Sequence, residues 1–186
     1  MQIPGQNIFL IGPMGSGKTT IGKQLAKMFK LQFYDCDQEL ERLTGASVSL
    51  IFDLEGEAGF RARESQLLEQ LTARKGVLIA TGGGTVCKEE NRRLLRSRGM
   101  VVYLKTSIEN QLKRLDKDKS RPLLQADDRV RRLRDLAEVR NPLYDATADL
   151  VFSTRNSSVY ATARALHAVI VKHLDTLARE PSRADG

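Results

Sequence analysis

The chain has 186 residues, of which 41% are hydrophobic and 28% are charged, and these proportions are ordinary for one soluble globular domain. No apolar run approaches the roughly 18–20 residues that span a membrane, and no basic segment followed by an apolar one marks a secretory signal. These patterns argue against a membrane-spanning or secreted protein, and we expect a single domain over residues 1–186, in the cytoplasm.

The first predicted element is a short strand over residues 7–11, which ends at Gly12 and is followed by a glycine-rich turn. A helix is predicted over residues 18–30. The spacing from Gly12 to Thr19 matches G-x-x-x-x-G-K-[ST], the phosphate-binding P-loop. An ordinary glycine-rich turn is the alternative, and the order of strand, turn and helix favours the P-loop.

Each part of this motif has a chemical role. Gly15 and Gly17 permit positive φ and let backbone N–H groups turn inward around a phosphate, and the helix directs its positive dipole end to the same point. Lys18 would reach the β- and γ-phosphates of a nucleotide, and the Thr19 hydroxyl would bind Mg²⁺. The predicted nucleotide-binding residues of the loop are Gly15, Ser16, Gly17, Lys18, Thr19 and Thr20.

A second strand is predicted over residues 31–34 and leads into Asp35 and Asp37. Alternate side chains of an extended segment share a face, so the two carboxylates would project together. Near a phosphate site they would suit Mg²⁺ and a substrate hydroxyl. The alternative is a helix N-cap followed by a solvated aspartate, because a helical pattern continues from residue 38.

Two helices follow, over residues 47–54 and 57–74, with glycines at 45, 56 and 76 as stop signals. Arg61 lies near the start of the longer one, where the helix dipole disfavours a cation. Such a position hints at an anionic partner, although a surface arginine is an equal alternative.

A continuously apolar strand over residues 77–81 runs into Gly82, Gly83 and Gly84. Three glycines directly after a buried strand indicate a close approach of the backbone to another group. In a parallel α/β sheet this is the carboxyl edge, where ligands bind. A plain flexible turn is the alternative.

The remaining elements alternate in the same way. Residues 116–128 lose periodicity and are charged, which suggests a lid. His167 and His173 are six residues apart on the last helix and are interpreted as structural. The predicted elements are helices over 88–98 and 107–115, a strand over 100–105, a helix from 127 or 128 that Pro142 interrupts, a strand over 150–152, a helix over 158–177 and a frayed tail over 179–186.

The net charge of +7 is concentrated in residues 88–140, which hold 16 Lys and Arg against 9 Asp and Glu. This basic segment could bind nucleic acid or close over the triphosphate of a small nucleotide. Aromatic residues that would stack on bases are missing from it apart from Tyr103. The small nucleotide is therefore the better-supported ligand. Cys36 and Cys87 suit free thiols in a reducing compartment.

With these motifs in place, the sequence resembles a shikimate kinase over nearly its whole length. The resemblance rests on residues 12–19, 33–37, 59–61, 81–84, 121–124 and 140–144, in this order and spacing. It implies a three-layer α/β P-loop fold with a lid, in which a five-stranded parallel sheet of order 2-3-1-4-5 is flanked by helices.

The resemblance also implies a reaction, the transfer of the γ-phosphoryl group of MgATP to the 3-hydroxyl of shikimate in aromatic amino-acid biosynthesis. Asp37 would bind the ring hydroxyls and act as base, and Gly83 would contact the substrate through its N–H. Arg61 and Arg140 would hold the carboxylate. On the nucleotide side, Arg121 would close on the phosphates, Thr19 and Asp35 would hold Mg²⁺, and Arg114 and the 154–156 stretch with Arg155 would flank adenine.

Three rival functions stay open at this point. The first two are small P-loop kinases that act on gluconate or on a nucleoside monophosphate. The third is a non-catalytic regulator that binds nucleotide or nucleic acid. The predicted partners are shikimate and ATP with Mg²⁺ as cofactor, without nucleic acid or membrane, and the expected oligomeric state is a monomer.

Overall fold

The computed structural model describes residues 6–115, 128–154 and 157–179. The strands are β1 Asn7–Ile11, β2 Gln32–Asp35, β3 Val77–Ala80, β4 Gly99–Lys105 and β5 Leu150–Ser153. The α-helices of these residues are α1 Lys18–Phe29, α2 Cys36–Thr44, α3 Val48–Thr72, α4 Glu89–Arg98, α5 Ile108–Leu115, α6 Arg129–Thr147 and α7 Val159–Arg179, and a short 3₁₀ turn spans Thr85–Cys87.

The five strands form one parallel sheet in the order β2-β3-β1-β4-β5. This confirms the predicted strand order. Leu10 of β1 pairs with Ala80 of β3 on one side and with Val102 of β4 on the other. All residues of β1 and β3 are buried, as expected for central strands that helices cover on both faces.

Alternate residues of the strands supply two hydrophobic cores, one on each side of the sheet. In β1, Phe9 and Ile11 belong to one core, and Ile8 and Leu10 belong to the other. The first core is covered by α2, α3, α4 and α6, and the second by α1 and α7. The buried helix residues are Leu40, Ile51, Phe60, Leu67, Leu68, Leu71, Leu95 and Tyr144 in the first core, and Ile21, Leu25, Ala26, Phe29, Ala163, Leu166 and Ile170 in the second.

Helix α3 is broken at Gly56, where φ is 69° and ψ is −176°. The predicted break between two helices is therefore confirmed at this residue. The side chains of Glu55 and Arg63 span the break with two hydrogen bonds of 2.7 Å each. Guanidinium and carboxylate match in a two-pronged geometry, and this contact joins the two halves of α3 across the break.

Pro142 does not interrupt α6, so the predicted break at this residue is wrong. The helix continues through Pro142 to Thr147. Proline removes the hydrogen bond to the carbonyl of Glu138, and both residues lie on the exposed face of the helix, where water can reach that carbonyl. On the opposite face Tyr144 and Thr147 are buried and anchor the last turns.

Two predicted segments fall largely outside the described residues. The predicted lid, 116–128, is described only at Asp128, which precedes α6, and the predicted tail is described only at Arg179, the last residue of α7. Within the described ranges, none of the helices combines the length and the apolar composition needed to cross a membrane.

Asn7 connects four chain segments at the edge where the central strands begin. Its amide nitrogen donates to the carbonyls of Thr72, Arg74 and Arg98 at 3.4, 2.7 and 3.3 Å, and its amide oxygen accepts from the N–H of Val77 at 3.2 Å. The side chain is buried. Asn7 therefore satisfies backbone groups that would otherwise be orphaned at the ends of α3 and α4 and at the start of β3.

We predict that Asn7→Ala lowers the free energy of unfolding by about 2–4 kcal/mol, because several buried backbone groups lose their partner at once. Urea denaturation followed by circular dichroism measures this loss. The matched control is Asn110→Ala in α5, at a side chain that is not buried, and it should change the value by less than about 0.5 kcal/mol. Equal stabilities for the two variants would contradict the prediction.

Candidate active site

The loop between β1 and α1 has the backbone conformation that the motif predicts. Gly15 and Gly17 have φ of 72° and 93°, which confirms the predicted positive φ at both. A Cβ atom at Gly12 would lie 2.6 Å from the carbonyl oxygen of Leu104, so only glycine fits where the loop leaves the sheet. The first N–H groups of α1 therefore point toward a site at the carboxyl edge.

The Lys18 ammonium lies against the loop itself. Its Nζ donates to the carbonyl oxygens of Gly12 and Pro13, both at 2.8 Å, and lies 3.5 Å from Ser16 Oγ. Ser16 is fully buried beneath the loop, and Thr20 donates its hydroxyl to Gly17 O at 3.3 Å. Lys18 thus sits at the mouth of the phosphate loop, within reach of an anion bound there.

Asp35 connects the phosphate loop to α2. The Thr19 hydroxyl donates to Asp35 Oδ2 at 2.5 Å, while Oδ1 accepts from the N–H groups of Asp37 and Gln38 at 3.1 and 3.2 Å. Asp35 is therefore the N-cap of α2. The predicted extended segment through Asp37 is wrong, because α2 begins at Cys36 and places Asp37 in its first turn.

Thr19 and Asp35 supply the oxygen ligands that Mg²⁺ prefers. The hydroxyl uses its proton toward Asp35, so its lone pairs remain for a cation. Among the described residues there is no group of three or more His, Cys, Asp or Glu that could enclose a metal. The residues therefore fit a Mg²⁺ ion that takes one or two protein ligands and completes its shell with phosphate and water.

Gly82, Gly83 and Gly84 form a turn after β3 that side chains approach very closely. None of the three has positive φ, so backbone conformation does not require glycine. A Cβ atom at Gly82 would lie 2.3 Å from Glu64 Oε1, and one at Gly84 would lie 2.2 Å from Arg61 Nη2. The close approach predicted from the sequence is confirmed, and the approaching groups are Arg61 and Glu64 of α3.

Arg61 is held beside this glycine turn by a buried carboxylate. Its Nη1 lies 2.7 Å from Glu64 Oε2, and its Nε lies 3.6 Å from Glu57 Oε1. Thr85 Oγ1 donates to the other oxygen of Glu64 at 2.7 Å. Burial alone would lower the pKa of Arg61, but the charge and hydrogen bond of Glu64, with the charge of Glu57, raise it overall.

Glu64 is a residue of this site that the sequence analysis did not identify. Its side chain is only 3% exposed, which is unusual for a glutamate and is explained by its two partners. The sequence pattern that could have indicated Glu64 is its spacing of three residues from Arg61 on one helix, which places both side chains on the same face.

Arg140 of α6 approaches the glycine turn from another side. A Cβ atom at Gly83 would lie 3.7 Å from Arg140 Nη1 and 3.6 Å from the backbone nitrogen of Met14. Arg140 and the phosphate loop therefore both lie close to Gly83. Two guanidinium groups, Arg61 against Gly84 and Arg140 against Gly83, converge on one turn, and this arrangement suits a carboxylate ligand.

Asp37 lies next to the same turn. A Cβ atom at Gly82 would lie 3.5 Å from Asp37 Oδ1, and Asp37 is only partly buried. Its neighbour Cys36 is buried, and burial, followed by the charge of Asp37, raises the pKa of that thiol well above its ordinary value. Cys36 is therefore a neutral thiol below the site, while the Asp37 carboxylate faces the turn region.

The nucleotide side of the site is described in part. Arg114 of α5 donates to the carbonyl of Gly15 at 2.8 Å, which places its guanidinium against the phosphate loop. Thr154, the first residue of the stretch expected to flank adenine, is buried and donates its hydroxyl to Lys105 O at 3.2 Å. Arg121 and Arg155 lie outside the described residues.

Comparisons with known proteins agree with this arrangement. The shikimate kinase family model matches residues 14–174. The shikimate kinase of Alteromonas mediterranea is 53% identical over 158 residues, which are 85% of this chain and 92% of the relative. Shikimate kinase 1 of Hamiltonella defensa is 52% identical over 163 residues, with 87% and 94% of the two chains covered.

A solved structure is similar at the level of the fold as well. The shikimate kinase from Acinetobacter baumannii in complex with shikimate has a TM-score of 0.88 and 45% identity, over 91% of this chain and 94% of that one. With a family match over most of its length and relatives that share half of its aligned residues, the chain belongs to the shikimate kinase family.

Proposed function

We propose that this protein transfers the γ-phosphoryl group of MgATP to the 3-hydroxyl of shikimate, giving 3-phosphoshikimate and ADP. The observation that carries this proposal is the convergence of Arg61, Arg140 and Asp37 on the glycine turn beside a phosphate loop, in a member of this family. Gluconate and nucleoside monophosphates are not favoured as acceptors.

The phosphate loop binds the nucleotide in this proposal. The N–H groups of residues 15–20 and the N-terminus of α1 surround the β- and γ-phosphates, and Ser16 and Thr20 line the same loop. Lys18 exchanges its two carbonyl partners for phosphate oxygens, which adds a fixed positive charge where negative charge spreads in the transition state. Arg114 and Arg155 flank the adenine, and Arg121 closes on the phosphates.

Mg²⁺ is the proposed cofactor, and Thr19 and Asp35 are the residues that would hold it. When bound, it neutralises charge on the β- and γ-phosphates. Asp35 accepts a hydrogen bond from the Thr19 hydroxyl, so the hydroxyl oxygen is oriented with its lone pairs away from the carboxylate. Asp35 also caps α2, and a single side chain thereby sets the position of Asp37 relative to the phosphate loop.

The acceptor is held by its carboxylate. Arg61 and Arg140 grip it in a two-pronged geometry, and the Gly83 N–H donates to the substrate. Asp37 orients the ring hydroxyls and accepts the proton that leaves the 3-hydroxyl as its oxygen bonds to phosphorus. Because a Cβ atom at Gly83 would lie 3.6 Å from Met14 N and 3.7 Å from Gly12 O, a substrate held there lies next to the phosphate loop, as direct transfer requires.

We also propose that the protein acts as a single domain over residues 1–186, as a monomer in the cytoplasm, with residues 116–128 as a lid. Its only partners in this proposal are shikimate and ATP, without nucleic acid or membrane. Closure of the lid would exclude water and limit hydrolysis of ATP.

The test of this function is ADP release from the purified protein with MgATP and shikimate, gluconate or AMP offered separately. We predict turnover with shikimate alone, and its loss in Lys18→Ala because the transition state loses a fixed charge. Thr176→Ala, on the distant helix α7, is the control and should retain full activity. Turnover with gluconate or AMP instead would refute the acceptor assignment while keeping the kinase.

Asp37→Asn should reduce kcat with shikimate by about 100-fold or more, because an amide cannot accept the hydroxyl proton. The affinity for MgATP should change little, because asparagine keeps the size and shape of the side chain and removes only its capacity to accept the proton. Stopped assays for kcat and calorimetry for nucleotide binding measure the two quantities. Asp53→Asn, on the exposed surface of α3, is the matched control, and equal turnover in both variants would remove Asp37 from the mechanism.

Gly84→Ala should raise the KM for shikimate roughly 10- to 100-fold, because the new methyl group displaces the Arg61 guanidinium from its position 2.2 Å away. Its φ of −97° fits any residue, so backbone strain contributes nothing. The check is a double-mutant cycle with Arg61→Ala. If the two KM effects multiply independently, Gly84→Ala does not act through Arg61.

A further inference from the structure

Tyr144 lies below the acceptor side of the site and has no role in the mechanism above. It is fully buried, one helical turn beyond Arg140 on α6. Its hydroxyl donates to the carbonyl oxygen of Gly83. The hydroxyl therefore meets the middle residue of a turn made of three glycines, which has no side chains of its own to fix it.

Gly83 and Arg140 both influence the Tyr144 hydroxyl. Burial raises the pKa of Tyr144 well above its ordinary value, and the guanidinium of Arg140 acts in the opposite direction through its charge and a hydrogen bond. The phenol is therefore a proton donor at any physiological pH. Its proton is directed to the carbonyl oxygen of Gly83, and Arg140 Nη1 lies 3.7 Å from the position of a Cβ atom at the same glycine.

The Tyr144 hydroxyl thus contacts Gly83, and Arg140, the other residue expected to hold the substrate from this side, lies close to the same glycine. Glycine loses more backbone freedom on ordering than any other residue, so a run of three needs external contacts to hold one conformation. On the α3 side these contacts come from Glu64 and Arg61, which lie against Gly82 and Gly84. At Gly83 the corresponding contact is the Tyr144 hydroxyl.

We propose that Tyr144 is a positioning residue for the acceptor, because its hydroxyl holds the Gly83 carbonyl and so fixes the glycine turn beside the Arg140 guanidinium. This inference rests on the proposed function. Tyr144 does not touch the reacting atoms. It acts by holding the glycine turn, and through it the Gly83 N–H, in the position beside Arg140 that receives a carboxylate. Its loss should therefore be felt in acceptor binding and not in nucleotide binding.

Tyr103 supplies a matched control. Its ring packs against that of Tyr144 with centroids 5.0 Å apart, and it is equally buried. Burial raises the pKa of Tyr103 to about 12. Its hydroxyl donates to Asn141 Oδ1 at 3.3 Å instead of to the glycine turn. Each substitution by phenylalanine removes one buried hydroxyl from the same core, but only Tyr144→Phe removes the hydrogen bond to Gly83.

The experiment compares Tyr144→Phe with Tyr103→Phe in steady-state kinetics with both substrates varied, together with thermal unfolding with and without shikimate or MgATP. For Tyr144→Phe we expect the KM for shikimate to rise about tenfold, with kcat and the KM for MgATP within about twofold. The stabilisation of the protein by shikimate should shrink, while that by MgATP is kept. Tyr103→Phe should leave all these quantities within about twofold.

Two results would overturn the proposal. One is an unchanged KM for shikimate in Tyr144→Phe. The other is a parallel loss in both substrates that Tyr103→Phe reproduces, because this would show that the hydroxyl only stabilises the core. Failure of the proposed function has a different signature, since the unmodified protein would then show no turnover with shikimate at all.

Discussion

The pairing of β1 with β3 is the constraint on which the whole site depends. Thr81 continues the pairing beyond β3, with both its N–H and its hydroxyl 3.1 Å from the carbonyl of Leu10. Beyond this pairing, β1 continues through Ile11 into the phosphate loop, and Thr81 leads into the glycine turn. Two loops that leave adjacent parallel strands at the same level must touch, and this is why a donor site and an acceptor site share one edge.

The electrostatics of the acceptor side follow from a buried anion. Glu64 is placed where solvent cannot compensate its charge, and Arg61 and Thr85 supply the compensation. The Arg61 guanidinium uses an N–H group to bind Glu64, so only its remaining N–H groups can bind a ligand. Its orientation, however, is set before the ligand arrives, which reduces the entropy lost on binding.

The sequence predicts what depends on local patterns and misses what depends on distant contacts. The phosphate loop and the break at Gly56 follow from motif spacing and stop signals, and the strand order follows from the family resemblance that the motifs carry. The contacts of Glu64 and Tyr144 with the glycine turn do not follow from such patterns, because another part of the chain brings that turn to them. The position of Asp37 is predicted wrongly because the cap formed by Asp35 ends the extended segment two residues before Asp37. The break at Pro142 is predicted wrongly because the exposure of a helix face cannot be read from one proline.

The hydrogen bonds of Lys18 to Gly12 and Pro13 affect how much Lys18 contributes to nucleotide affinity. The ammonium already ties the two ends of the loop together, so the loop is ordered without help from a phosphate. Binding then exchanges two neutral carbonyl partners for charged phosphate oxygens. The contribution of Lys18 to nucleotide affinity is therefore lowered by the carbonyl contacts that the phosphate must replace.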